Sequence, residues 1–376
     1  MIPNEKPHAT VLIGIPCLKL GGTELQTLRL VQALVEGGYR VVTACYFEYD
    51  MEMVRQYQMA GSQVECLSAY GTRPNGTVKQ YRFLKGTLGR VVKEYKPTIA
   101  HVQYMAPGAL PIFILKRLGV KTILATLHTT AGIYKSLRLV HFLQRRYVKA
   151  FTCISIDAEM GFFGRWQLYD KNMPLRKHNH FTIYNTLAPK LSIAEPRCQF
   201  QNPITIGIVS RLETIKGVDL VIPAFAKLKG MVPNIRLVIV GEGSQKELMF
   251  NQQKQYGIEA DWRGSVPQQS LSKIYEEIDI VWIPSRSEGF GLTAIEAMAN
   301  GCMVIASETG GLPEVIDQKE LLFEPENMDD LVSHTQRLLE SDPAVINNQR
   351  RKLSQKVTQF TFEHFKESIL DLYSRL

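Results

Sequence analysis

Pro284-Ser285-Arg286-Ser287-Glu288-Gly289-Phe290-Gly291-Leu292-Thr293-Ala294-Ile295-Glu296-Ala297-Met298-Ala299-Asn300-Gly301 follows an apolar run, Asp279–Ile283, that reads as a strand. Two glutamates flank a Gly-Phe-Gly turn that opens a helix. A carboxylate at a strand's carboxyl edge, glycine N–H groups at a helix start and a second carboxylate one turn later form a set suited to a sugar, a diphosphate and a ribose. Helix N-termini attract phosphate through unpaired N–H groups and the macrodipole, and glycine permits close approach of a ligand to the backbone. Two structural readings stand beside this. Thr293–Glu296 has the spacing of a capping box, and Gly289 and Gly291 suit a simple turn. Glu288, which a turn does not require, weighs for a ligand.

Outward from this stretch, short β-branched runs alternate with amphipathic ones. In the first half, Thr10–Pro16, Tyr39–Phe47, Gln63–Ala69, Ile99–Tyr104, Val120–His128, Phe151–Ser155 and Phe181–Asn185 read as strands. Thr23–Glu36 and Lys79–Tyr95 between them read as helices. The rhythm restarts at Ile204–Ser210 and continues through Ile235–Val240, Ile258–Arg263, Asp279–Ile283 and Met303–Ser307. Continuous apolar strands alternating with helices predict α/β architecture with parallel sheets covered on both faces. Ala188–Pro203, with three prolines and no period, reads as a linker. The expected domains are therefore 1–188 and 204–359, joined by 189–203 and followed by a helix over 360–376. Phe362, Phe365, Ile369, Leu372 and Tyr373 give that last helix one apolar stripe that must dock.

In open parallel sheets, ligands bind outside the carboxyl ends of the strands, and several chemistry-bearing residues fall there. Arg211 and Lys216 follow the first strand of the second half, on a loop entering a helix where anions rather than cations are favoured. Two cations in that position favour a bound diphosphate, with Arg as a bidentate clamp and Lys as a point charge. Val240-Gly241-Glu242-Gly243 opens like a dinucleotide fingerprint, but Lys246 holds the third glycine position. With Ser244–Glu247 in capping-box spacing, a tight structural turn is the reading. Gly21-Gly22 with Thr23 and Gln26 offers N–H groups and another capping box. His128 ends a strand, a placement that favours function over the usual structural role, and His101 is a weaker candidate. His178 and His180 read as lying in a polar loop and lack carboxylate or cysteine partners at ligand spacing, so no metal site is read there. No Asp-X-Asp sits at the end of an apolar strand, and none of the residues reads as a metal ligand.

The chain has 376 residues, 45% hydrophobic and 21% charged, a soluble globular composition. Cys17, Cys45, Cys66, Cys153, Cys198 and Cys302 form no CxxC pair, which suggests reduced thiols and a cytoplasmic setting. The N-terminus lacks signal-peptide regions. The net charge of +8 is uneven: residues 1–190 carry 25 Lys+Arg against 11 Asp+Glu, and 191–376 carry 19 against 25. Tyr134–Lys149 and Lys79–Lys96 are basic and amphipathic, as helices lying on anionic membranes are, and as ordinary packed helices with a solvated basic face also are.

Together, Ser210-Arg211-Leu212 with Lys216-Gly217, Gly241-Glu242-Gly243, Pro284-Ser285, Glu288-Gly289-Phe290-Gly291-Leu292, Glu296-Ala297-Met298-Ala299 and Gly310-Gly311 with Glu314 resemble the retaining glycosyltransferases of family 4, glycosyltransferase group 1. Gly21-Gly22, His128 and Tyr184-Asn185 match more loosely. The resemblance implies a GT-B fold: two Rossmann-like domains facing a cleft, with the C-terminal helix crossing back to the first. It implies a nucleotide-sugar donor, UDP-sugar over GDP-sugar, with Arg211 and Lys216 on the diphosphate. Glu288 and the Gly289, Phe290, Gly291 and Leu292 amides would hold donor sugar and phosphate, and Glu296 the ribose. The base would lie by Gly264 and Val266, Gly22 would face the phosphates, and His128 the donor sugar. Catalysis would rest on Glu288, His128, Arg211 and Lys216, with no metal or other cofactor and with attack on the face from which the diphosphate departs. The acceptor would be a glycan or lipid-phosphate-linked molecule of cell-surface polysaccharide or glycolipid synthesis, with peripheral contact to the inner membrane face and no nucleic acid. Two loops depart from the family pattern: Asn185-Thr186-Leu187-Ala188 lacks its aspartate, and Asp317–Leu322 lacks its glycines. The rival readings are a GT-B-type sugar-nucleotide epimerase, an NAD-dependent oxidoreductase using Gly241–Gly243 and Asp261, and a non-catalytic sugar-nucleotide binder.

Overall fold

The computed structural model describes residues 9–103, 109–133, 136–175, 179–189, 191–197 and 199–376. The stretch 1–8, Tyr104, Tyr134, Lys135, His178 and Cys198 lie outside them. The chain divides into two compact units, Met1–Pro189 with Phe362–Leu376, and Lys190–Thr361.

The first unit holds β1 (Thr10–Ile15), β2 (Arg40–Cys45), β3 (Gln63–Cys66), β4 (Ile99–Gln103), β5 (Thr122–Leu127), β6 (Ala150–Cys153) and β7 (His180–Thr182). They form one parallel sheet in the order β3-β2-β1-β4-β5-β6-β7. The second holds β8 (Ile204–Val209), β9 (Ile235–Val240), β10 (Ala260–Gly264), β11 (Ile280–Ile283), β12 (Met303–Ser307) and β13 (Leu322–Phe323), ordered β10-β9-β8-β11-β12-β13. Each sheet is Rossmann-like. Strand order reverses between β1 and β4 in one and between β8 and β11 in the other, and such reversal points open the crevice where ligands bind. The expected strands all form. Apart from the edge strands β3 and β10, the strands are buried nearly throughout because crossover helices cover both faces.

The terminal stripe docks as its spacing demands. In the helix Phe362–Ser374, Phe362, Ile369, Leu372 and Tyr373 are buried in one core with Val11, Ile13, Leu28 and Leu34. Burying side chains of this size contributes roughly 1.5–3 kcal/mol each. The helix lies against Gly22–Glu36, where Gly37 leaves room for Leu370 and Lys366 pairs with Glu36 at 2.9 Å. Tyr373 also enters a buried polar chain: its hydroxyl meets His101 Nδ1 at 2.8 Å, His101 Nε2 meets Thr126 Oγ1 at 2.6 Å, and Thr126 meets Thr152 at 2.6 Å.

Some expectations are corrected. His180 does not lie in a polar loop. It opens β7, buried, with Nδ1 2.7 Å from the fully buried Glu159 and Nε2 accepting from Arg165 at 3.0 Å. In the proline-bearing stretch before β8, Arg197 donates to the carbonyls of Ile278 and Tyr275 at 2.7 and 2.6 Å, and Gln201 N to buried Asp279 at 3.0 Å. The described cysteines are free thiols, and burial pushes Cys17 and Cys302 up to about 12. Among the described residues no helix is long and apolar enough to cross a membrane.

Burial pushes the His101 imidazole down to about 3. The unfolded chain takes up a proton near pH 6.5, where the folded chain does not. Stability is therefore expected to fall as pH drops from about 6.5 toward 3. The urea midpoint followed across that range checks this, and His101→Gln should make the slope shallower while costing about 1–3 kcal/mol at neutral pH through lost buried hydrogen bonds.

Candidate functional site

Two loops leave the reversal point of the second sheet, one after β8 and one after β11. The first carries Arg211 and Lys216, the second Glu288. They meet directly: Lys216 Nζ lies 2.6 Å from Glu288 Oε2, with the two side chains 21% and 16% exposed. Ser285 Oγ donates to the same carboxylate oxygen at 3.3 Å. Arg211, on the loop after β8, is exposed and its guanidinium makes no hydrogen bond or ion pair with a described residue.

Arg286 braces the two loops. Its Nη1 and Nη2 hold Asp219 at 2.7 and 2.8 Å, Nη1 also donates to the Thr214 carbonyl at 2.5 Å, and Nε reaches Glu326 at 2.5 Å. Its main-chain N–H donates to Ile215 O at 2.9 Å. The guanidinium bonds hold the Asp219 carboxyl below its ordinary range, and Asp219 raises Arg286 in turn. Arg286 and Asp219 were not singled out from sequence. Arg286 sits inside the decisive stretch, two residues before Glu288, but nothing local reveals a partner 67 positions away.

Glycines bring the loops together. A Cβ on Gly217 would fall inside the Pro284 carbonyl, one on Gly241 inside that of Ser210, one on Gly243 inside that of Leu212, and one on Gly310 inside that of Glu288. Gly217, Gly241 and Gly310 also have positive φ, at +64°, +136° and +53°, which L side chains rarely adopt. Gly241–Gly243 is thus a packing turn. Its main chain bonds Gly264 and Leu212, Gly241 N to Gly264 O at 2.8 Å and Leu212 N to Glu242 O at 2.9 Å. Gly264, also at positive φ, ends β10, and half-buried Val266 follows it. Nearby Asp261 is committed to Arg263, 2.7 Å away.

The capping-box readings give way to other caps. The helix Leu292–Ala299 is N-capped by Gly291 without a side-chain bond, Thr293 Oγ1 instead donating to Val209 O at 3.1 Å. Glu296 instead accepts from the buried Tyr275 hydroxyl at 3.3 Å. The Phe290 ring is committed to the core, edge-on to Phe360 at 5.5 Å, between Gly289 and Leu292. Before the helix Lys246–Tyr256, Ser244 donates from N and Oγ to Glu213, at 3.2 and 2.5 Å. In the first unit, the helix Gly22–Glu36 is capped by Gly21, again with no side-chain bond. Gln26 instead exchanges two hydrogen bonds with the Thr186 main chain, at 2.7 and 2.9 Å.

Gly22 and His128 belong to the first unit and sit past β1 and β5. His128 Nε2 lies 2.7 Å from Oε1 of buried Gln103, and burial pushes the imidazole well below its ordinary value, to about 3. Within the second unit Lys216 and Glu288 touch, Arg211, Gly264 and Val266 follow or end strands at the same sheet edge, and Glu296 lies inside the helix Leu292–Ala299 against Tyr275.

Residues 195–360 match the family model for glycosyl transferases group 1, and residues 21–160 match that for a glycosyl transferase 4-like domain. The chain belongs to the group 1 glycosyltransferases. It is similar to a D-inositol 3-phosphate glycosyltransferase of Segniliparus rotundus, 36% identical over 30% of this chain and 26% of that protein. It is similar over a longer span to the phosphatidylinositol N-acetylglucosaminyltransferase gpi3 subunit of Schizosaccharomyces pombe, 24% identical over 83% of this chain and 68% of that one. Against three D-inositol 3-phosphate glycosyltransferases, the aligned stretch spans only 26%, 36% and 40% of their length. In fold, this group 1 member resembles Anabaena Alr3699/HepE, solved with UDP and glucose, at a TM-score of 0.80 and 18% identity over 98% of this chain and 100% of that one. The GT-B expectation agrees with this likeness.

Gly241→Ala and Gly310→Ala are each expected to destabilise the protein by about 2–4 kcal/mol, through strain and forced loop separation. Gly230→Ala, in the helix Val221–Met231 with open space around it, should instead gain about 0.5–1 kcal/mol. Urea unfolding of the three variants measures both signs.

Proposed function

We propose that this protein transfers a hexose-type sugar from a nucleotide-diphosphate sugar to a glycan or lipid-linked acceptor, with retention at the anomeric carbon and without a metal ion. The observation that carries the reading is the placement of Lys216, Arg211 and Glu288 at the reversal point of the second sheet, on loops whose glycine contacts hold the backbone close. Arg211 and Lys216 meet the diphosphate charge. Glu288 and the Gly289–Leu292 main chain take the donor sugar and its phosphate, Glu296 takes the ribose, and the Gly264–Val266 edge takes the base. For Gly22 and His128 the assignment to phosphates and donor sugar rests on the family resemblance. A UDP-sugar is favoured over a GDP-sugar, supported by the UDP complexes of Alr3699/HepE.

In the transfer, the anomeric C–O bond to the diphosphate breaks as the acceptor oxygen bonds to the same face of that carbon. The acceptor hydroxyl proton passes to the departing phosphate oxygen. The protein supplies position and electrostatic stabilisation rather than a nucleophile. Metal independence rests on the sequence, where no Asp-X-Asp ends an apolar strand and two cations stand at the site.

A peripheral contact with an anionic membrane, on the inner face, is supported by one helical layer of the first unit. The helices Thr77–Tyr95, Ala109–Arg117 and Arg138–Arg146 lie side by side, joined by Arg117 to Tyr81 at 3.1 Å and by Phe113 to Phe142, rings 6.4 Å apart. Phe142 is 50% exposed and flanked on its helix by Arg138, Arg145 and Arg146, none of them ion-paired with a described residue. An apolar tip among cations suits an anionic interface.

Two measurements test these readings. In a thermal-shift panel of UDP-, GDP- and ADP-sugars, a UDP-sugar should raise the melting temperature of the natural protein and not of Arg211→Ala; stabilisation by NAD and by no nucleotide-sugar would sink the transferase reading. In flotation with anionic liposomes, binding should weaken with salt and be lost on charge reversal at Arg145 and Arg146; unchanged flotation of that variant removes the membrane contact.

A further inference from the structure

We propose that the Lys216–Glu288 ion pair discriminates between the intact sugar donor and the nucleoside diphosphate left after transfer, penalising the second. The proposal rests on the donor-site reading above and adds a separate claim about what Glu288 does to the bound nucleotide.

Both side chains are held in place by loops that cannot drift apart. Arg286 joins Thr214, Ile215 and Asp219 on the Lys216 side to the loop that carries Glu288, and Gly217 seats its main chain on the Pro284 carbonyl. The ammonium and the carboxylate are both largely buried and 2.6 Å apart. Lys216 and Ser285 share Oε2, while no described residue donates to Oε1. A diphosphate at this edge draws on the same Lys216 charge that Glu288 already neutralises.

What replaces Lys216 on the carboxylate then decides the outcome. A nucleotide sugar brings hydroxyl donors beyond its second phosphate, and these satisfy the acceptor that Lys216 gives up. A nucleoside diphosphate brings only phosphate oxygens, with one more ionisable group than the donor has. It leaves a largely buried carboxylate short of a donor and beside a like charge, an arrangement that costs binding free energy. Specificity of this kind comes from a repulsive element placed against the unwanted ligand. After transfer the sugar departs on the acceptor, Lys216 returns to Glu288, and the diphosphate loses its grip.

The test is calorimetric titration of UDP, GDP and UDP-glucose into the full chain, as natural protein, Glu288→Gln, Glu288→Ala, and Glu288→Gln combined with Lys216→Gln. Removing the like charge should tighten UDP by about tenfold, because close like charges across a binding site weaken binding. Glu288→Ala should change UDP affinity in the same direction, UDP-glucose should gain less or lose, and the double variant should lose the gain because it acts through Lys216. UDP affinity that is unchanged or weaker in both Glu288 variants, or a gain that survives in the double variant, overturns the proposal. If UDP still binds the natural protein and loses affinity in Arg211→Ala, the donor reading stands without the pair; if neither UDP nor GDP binds any form, both fail.

Discussion

At the carboxyl edge of the second sheet, main chain touches main chain. The Pro284 carbonyl lies against the α-carbon of Gly217, that of Ser210 against Gly241, and that of Glu288 against Gly310. Side chains cannot separate these loops, so residues from four different strand ends are brought to one short edge. That closeness places a cation from the β8 loop within bonding distance of a carboxylate from the β11 loop. It also explains why the helix after β11 dispenses with a side-chain cap: its first turn is already fixed by the loops beneath it.

Polar braces complete what the glycines begin. Arg286 satisfies Asp219, Glu326 and a carbonyl with one guanidinium, a fork that a lysine cannot reproduce. In the first unit a chain of buried hydroxyls and one imidazole runs from the terminal helix across three strand ends. Buried polar groups are tolerable only when paired, so this chain ties the seating of that helix to the positions of β4, β5 and β6.

Much of this was legible from residue order. Strand positions followed from β-branched runs, and the terminal helix announced its docking through an apolar stripe. Arg211, Lys216 and Glu288 stood out because each follows a strand, the place where parallel sheets bind ligands. The caps were less legible. Thr23, Ser244 and Thr293 had capping-box partners at the right spacing, yet Gln26, Glu296 and Ser244 spent their polar groups on residues far away in sequence. A local pattern cannot foresee a better distant partner. For the same reason Arg286 passed unnoticed beside Glu288, and His180, set among polar residues, gave no sign that Glu159 would bury it.

The first unit is closed by residues that come after the second. Its core needs Phe362, Ile369 and Leu372, and its buried polar chain needs Tyr373, while roughly 170 residues intervene. At synthesis rates of about 5–20 residues per second, that interval lasts roughly 10–35 s. Through it, the groove on the helix Gly22–Glu36 and the His101 imidazole stand uncovered, and by its end the second unit has every strand it needs. The part of the chain made first is thus the last to be finished.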